Sequence, residues 1–190
     1  PAPKQYRVRD PQANVPKPAT VPENYTQFPP VAVDDESLGN APGAVTLNVT
    51  GNDTDPNNDL DVSTVDLDPA TPGIQQTLVV SGEGTWTVDA SGNVTFTPAA
   101  GFTNDPTPIT YVVSDATGLV SNEATITIDY VPVATDDVSN DNTTGQAVTV
   151  NVLANDVTGD QVVPGTVQIV GTDNAGDALV VPGEGTWSVD

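Results

Sequence analysis

The sequence predicts an all-β protein, tandem sandwich units behind an extended arm, and three observations predict it. An eleven-residue phrase occurs twice: Val79 to Asp89 reads Val-Val-Ser-Gly-Glu-Gly-Thr-Trp-Thr-Val-Asp, and Val180 to Asp190 repeats it with two changes. From Val31 onward, apolar residues fall in short alternating runs broken by Gly, Pro, Asn and Asp, the pattern of strands and turns rather than helices. Before Val31 the chain is a different material, rich in proline and carrying every basic residue.

Residues 1–30 are that arm. Pro1, Pro3, Pro11, Pro16, Pro18, Pro22, Pro29 and Pro30 favour extended polyproline II and are unsuited to a sheet interior. Between Lys4 and Asp10 the prolines pause, and Tyr6 and Val8 alternate with Arg7 and Arg9. Two readings stay open: an extended linker, or an arm that docks a protein partner through Tyr6, Arg7, Val8 and Arg9 as an added strand.

Residues 31–130 are expected to form a complete sandwich. Val45, Leu47 and Val49 alternate in the first clear strand; Val62, Val65 and Leu67 mark a weaker one, and Leu78 to Val80 another. Trp86 and Val88 face one way, the chain turns through Asp89-Ala90-Ser91-Gly92, and Val94 and Phe96 return on the same face, a hairpin signal. Ile109, Tyr111 and Val113 give the next strand, and Ala124, Ile126, Ile128 and Tyr130 the last. Around seven strands in about a hundred residues fit an immunoglobulin-like sandwich.

Residues 131–190 restart the pattern about 102 residues later. Val31-Ala32-Val33-Asp34-Asp35 returns as Val133-Ala134-Thr135-Asp136-Asp137, and Asn52-Asp53 returns as Asn155-Asp156. The sequence stops at Asp190, before anything matching Ala90 to Tyr130. The chain is therefore expected to continue, or this half-unit to be disordered or completed by another chain's strand.

Composition removes several function classes. Without cysteine or histidine there is no disulfide, thiolate nucleophile, zinc-thiolate site or usual general base near neutral pH. A carboxylate-only mechanism such as glycoside hydrolysis survives in principle. The net charge is -22; Lys4, Arg7, Arg9 and Lys17 are the only basic residues, and of the 26 acids only Asp10 and Glu23 precede Val31. Such a surface repels nucleic acid and anionic lipid, and it suits a saline exterior or bound cations. No run is long and apolar enough to cross a bilayer, and the lack of an initiator methionine or signal pattern points to a mature or excised piece.

Taken as a set, the phrases resemble a known family. Pro30-Val31-Ala32-Val33-Asp34-Asp35, Asn151-Val152-Leu153-Ala154-Asn155-Asp156, the Gly-Glu-Gly-Thr-Trp element, Val94 to Phe102 and Ile109 to Asp115 are similar to the tandem CshA-type repeats of bacterial fibrillar surface adhesins, across residues 31–190. The resemblance implies a stalk segment of a very large secreted protein on a bacterial cell surface, extending a distal binding region for adhesion, with no catalysis and with neighbouring repeats as partners. Similar arrays occur in the adhesins of gliding bacteria. Two rivals remain: a ligand- or glycan-binding module using Trp86 or the acidic loop, and a self-assembling or partner-docked filament subunit using the arm.

The suggested cofactor is calcium. Asp53, Asp55, Asn57, Asp59 and Asp61 place oxygens at every second position, and calcium takes six to eight hard oxygen ligands. An EF-hand is excluded, because Asn58 stands where its glycine belongs and Thr64 where its glutamate belongs. The alternative is a solvated turn bent by Asx side chains. Asp34, Asp35, Asp136 and Asp137 open the two units, where acids bridge calcium in cadherin-like arrays; their alternative is a negative edge that discourages stray strand pairing. Trp86 and Trp187 share strand faces with Val88 and Val189, which places both in a core rather than against a sugar.

Overall fold

The computed structural model describes residues 4–8, 19–21, 26–156, 159 and 162–190. In the arm, β1 (Lys4–Tyr6) pairs antiparallel with β2 (Ala19–Val21), Lys4 opposite Val21. The stretch expected to run extended therefore contains one short ladder of its own.

Eight strands follow: β3 (Asp35–Asn40), β4 (Val45–Asn48), β5 (Leu60–Asp66), β6 (Thr77–Val80), β7 (Gly84–Val88), β8 (Asn93–Pro98), β9 (Ile109–Asp115) and β10 (Ala124–Tyr130). They form two four-stranded sheets, ordered β3-β10-β9-β5 and β4-β8-β7-β6. Alternation decides which side chains meet between them, because every second residue of a strand points to the same face. Val45, Trp86, Val94 and Phe96 come from one sheet, and Val65, Tyr111, Val113, Ile126 and Ile128 from the other, into one core. Trp86 is 0 % exposed, its ring 4.8 Å from that of Phe96 across the β7–β8 hairpin. Gly84 is required by this approach: a Cβ there would lie 2.4 Å from the Thr97 carbonyl oxygen and 2.7 Å from the Phe96 ring.

Two strands depart from the sequence expectation. β3 adds an eighth strand that the alternation test passes over, since its only large apolar residue, Leu38, is 63 % exposed and backbone pairing with β10 holds it in place. β5 is irregular because its register on β9 shifts between Asp61 and Asp66. Thr64 fills the gap: its Oγ1 accepts from Ser114 N at 2.8 Å and donates to the Asp61 carbonyl at 2.7 Å. That bulge is why Val62 and Val65 break the period of two.

The pairing of β3 with β10 is parallel, Asp35 beside Ile126 and Asn40 beside Tyr130. The first and last strands of the sandwich thus run in the same direction. Entry and exit of the chain lie at opposite ends.

In the second unit β11 (Leu179–Val181) and β12 (Gly185–Trp187) pair Leu179 with Trp187 and Val181 with Gly185, the register that β6 and β7 use for Leu78, Trp86, Val80 and Gly84. Local geometry repeats elsewhere too. The Ser37–Asn40 stretch that ends β3, where the register on β10 shifts and Gly39 has φ 70°, returns as Ser139–Asn142, with Asp141 at φ 59° and the same pair of side-chain hydrogen bonds. Burial does not repeat: Trp187, expected in a core, is 63 % exposed. The strands that enclose Trp86 from β8 onward have no counterparts among residues 131–190, so the same local sequence lacks an opposing layer.

Candidate metal centre and the Tyr111 junction

Strand pairing brings the acidic loop to a distant carboxylate. Leu60 opens β5 opposite Asp115, the last residue of β9, and Ala116 N donates to the Asp59 carbonyl at 2.8 Å. Asp55 bends the loop as an Asx turn, its Oδ1 accepting from Asn57 N at 2.7 Å and Asp59 N at 3.2 Å, with Asn58 at φ 57°. Asp115 does the same after β9, its Oδ1 accepting from Thr117 N, Thr117 Oγ1 and Leu119 N at 2.8 to 2.9 Å. Each loop consumes one carboxylate oxygen.

The three carboxylates meet. One from each of Asp55, Asp59 and Asp115 lies within 4.8 Å of the other two. Asp55 Oδ2, Asp59 Oδ1 and Asp115 Oδ2 are buried without a hydrogen-bond donor among the described residues. Burial pushes the Asp59 carboxyl above its ordinary range, and the adjoining Asp55 and Asp115 push it further. Burial acts on Asp115 in the same sense, but its donors, led by Leu119 N and the Thr117 hydroxyl, hold it below the ordinary value.

The remaining predicted residues are engaged elsewhere. Asn57 clasps the incoming segment, its Nδ2 donating to the Thr26 carbonyl at 3.1 Å and its Oδ1 accepting from Phe28 N at 2.9 Å. Asp61 accepts from Ser63 N and Oγ. Asp34 accepts from Thr125 N at 2.8 Å, at the head of β10. Asp53 accepts from Val33 N at 2.9 Å, while Asn52 Nδ2 donates to the Asp34 carbonyl at 3.2 Å. The second unit copies that clasp with Asp156 on Thr135 N and Asn155 on the Asp136 carbonyl. Asp136 and Asp137 are themselves exposed, as are Tyr6, Arg7 and Val8; Arg9 lies outside the described residues.

A second acidic junction surrounds Tyr111, which the sequence marked only as a core strand residue. Its hydroxyl lies 2.7 Å from the Val49 carbonyl, 3.0 Å from Asp53 Oδ1, 3.1 Å from Asp35 Oδ2 and 3.3 Å from the Val33 carbonyl. A phenol has one proton to give, so several acceptors compete for it. Burial raises Asp35 to about 6 from 3.8; the Tyr111 hydroxyl offsets part of that rise and the Asp53 charge adds to it. Burial also raises Tyr111, reinforced by the Asp53 and Asp35 charges.

These shifts set a pH dependence. A carboxyl raised in the folded state binds its proton more tightly there than in the unfolded chain, so ionisation costs stability. Through Asp35 alone, stability is expected to fall by about 3 kcal/mol at most as pH rises from about 4 to about 6, then to level off. Asp53 and Asp59, also raised, act in the same sense, whereas the lowered Asp89 and Asp115 lose their contribution only as pH falls below the ordinary range. Melting curves at constant ionic strength with a chelator present check this. Asp35→Asn should flatten the slope, and a melting temperature that rises from pH 4 to 6 would contradict the assignment.

Sequence reasoning placed Asp55 and Asp59 in a metal site but had no route to Asp115. Its Ser-Asp-Ala-Thr-Gly turn marks a loop, not a neighbour; the β5–β9 register supplies the neighbour. Trp86, fully buried, has no face free for a sugar. No curated protein and no solved structure matches the chain. Residues 27–128, from the segment clasped by Asn57 into β10, match the surface adhesin CshA repetitive domain, more than half of the sequence. The chain belongs to the family of CshA-type surface adhesin repeats.

Proposed function

We propose that the chain is a stalk segment of a large secreted adhesin on a bacterial surface, holding a distal binding region away from the cell and performing no catalysis. The parallel pairing of β3 with β10 carries this reading, since entry and exit at opposite ends let units joined in series add their lengths. Each immunoglobulin-like or cadherin-like sandwich contributes roughly 30 to 40 Å from strands rising about 3.3 Å per residue. The return of the Gly-Glu-Gly-Thr-Trp hairpin and the Asn-Asp clasp in the second unit supports serial repetition. Like charge along such a rod opposes its collapse and its aggregation. Adhesion, including adhesion during surface gliding, needs reach of this kind.

Small-angle scattering on chains of two, four and eight consecutive units tests the reading. The maximum dimension should grow by a constant increment of about 35 Å per unit. A dimension that stays flat as units are added, or a specific glycan or hydrolytic activity retained by one unit, would overturn it.

A further inference from the structure

We propose that Asp55, Asp59 and Asp115 bind one divalent cation of the calcium class where the 53–59 loop meets the end of β9. Acids on a solvated face are common in so acidic a chain and need no ion. These three differ in that one oxygen of each is enclosed, although Asp55 and Asp59 are only half-buried as residues. Asp115 is 2 % exposed, and its Oδ2 finds no donor among the described residues; Asp55 Oδ2 and Asp59 Oδ1 are in the same condition. A buried anionic oxygen without a partner is strongly disfavoured, and like charges facing one another add repulsion. No lysine, arginine or histidine after Lys17 exists to neutralise them.

A cation resolves all three deficits together. Oxygens on opposite sides of a calcium ion stand about 4.6 to 5.2 Å apart, twice its ligand distance, and the three oxygens here fall within 4.8 Å. Two of the three are oriented in advance, because Oδ1 of both Asp55 and Asp115 is held by the turns those residues build. Such preorganisation lowers the entropy cost of binding. Asn57 in the same loop holds Thr26 and Phe28, so the ion also braces the segment that enters the unit. In the second unit Thr158 aligns with Asp55, which predicts one ion per 190-residue chain.

The test is calorimetric titration of the whole chain, stripped with EDTA, with calcium chloride, alongside melting curves in calcium, magnesium and matched sodium chloride. The expected result is one equivalent bound with a dissociation constant of roughly 10⁻⁶ to 10⁻³ M. At a hundredfold excess over that constant the melting temperature should rise by about 10 °C, a rise that sodium chloride does not reproduce. Asp59→Asn supplies the sign test: it removes one of three like charges, so in EDTA it should melt no lower than the parent, and in calcium it should lose the rise. Asp61→Asn, whose parent carboxylate serves Ser63, should respond like the parent chain. Absence of saturable binding, a sodium chloride effect equal to that of calcium, or an Asp59→Asn chain with the full calcium response would each overturn the proposal.

Discussion

Trp86→Ala is expected to cost about 3 to 5 kcal/mol, the largest single-residue effect in the chain. Trp86 has no exposed surface, packs on Phe96 at 4.8 Å and shares its core with residues of both sheets. Truncation leaves a cavity beside Phe96 in a core built from both sheets, and the β7–β8 ladder that fixes Phe96 limits how far that cavity can collapse. A loss of that size takes up much of the stability of an ordinary domain. Trp187→Ala, in the same phrase, should change stability by no more than about 0.5 kcal/mol, because Trp187 is 63 % exposed. Each variant leaves one tryptophan, so urea denaturation followed by fluorescence separates them. The Trp187→Ala chain should show a blue emission that reddens cooperatively, and equal destabilisation by both changes would contradict the burial difference.

Tyr111→Phe is expected to cost about 2 to 3 kcal/mol while leaving the ring packing intact. The hydroxyl is the donor at 2.7 Å to the Val49 carbonyl and a partner of Asp35 and Asp53. Without it, buried acceptors lose their donor and Asp35 ionises with less support. The loss should therefore be larger at pH 7 than at pH 4, when Asp35 is protonated. Urea midpoints at both values measure it. A cost below about 0.5 kcal/mol at pH 7 would show that the hydroxyl is not the organising donor of the junction.

The two units explain how much could be read in advance. The β7–β8 hairpin was legible because its signals are local: alternation through Trp86 and Val88, a Gly-containing turn, and return through Val94 and Phe96. β3 was illegible because what holds it is backbone pairing with β10, about ninety residues away, and polar side chains leave no periodic trace. In the acidic loop the sequence treated five alternating oxygens alike. The Asx turn at Asp55 and the left-handed Asn58 break that alternation, sending Asn57 to Thr26 and Phe28, Asp61 to Ser63, and only Asp55 and Asp59 toward Asp115. Trp187 shows the same limit from the other side. Its hairpin register was inherited with the phrase, whereas its burial depends on strands that the phrase does not contain.

The parallel β3–β10 pair has a mechanical consequence. A pull that enters at Asp35 and leaves at Tyr130 runs along the two strands and tries to slide one past the other. Under such shear the cross-strand hydrogen bonds share the load and must yield together, whereas antiparallel strands pulled from one end unzip a bond at a time. The ladder from Ile126 to Tyr130 is then the unit's resistance to tension, and the other strands keep that pair in register.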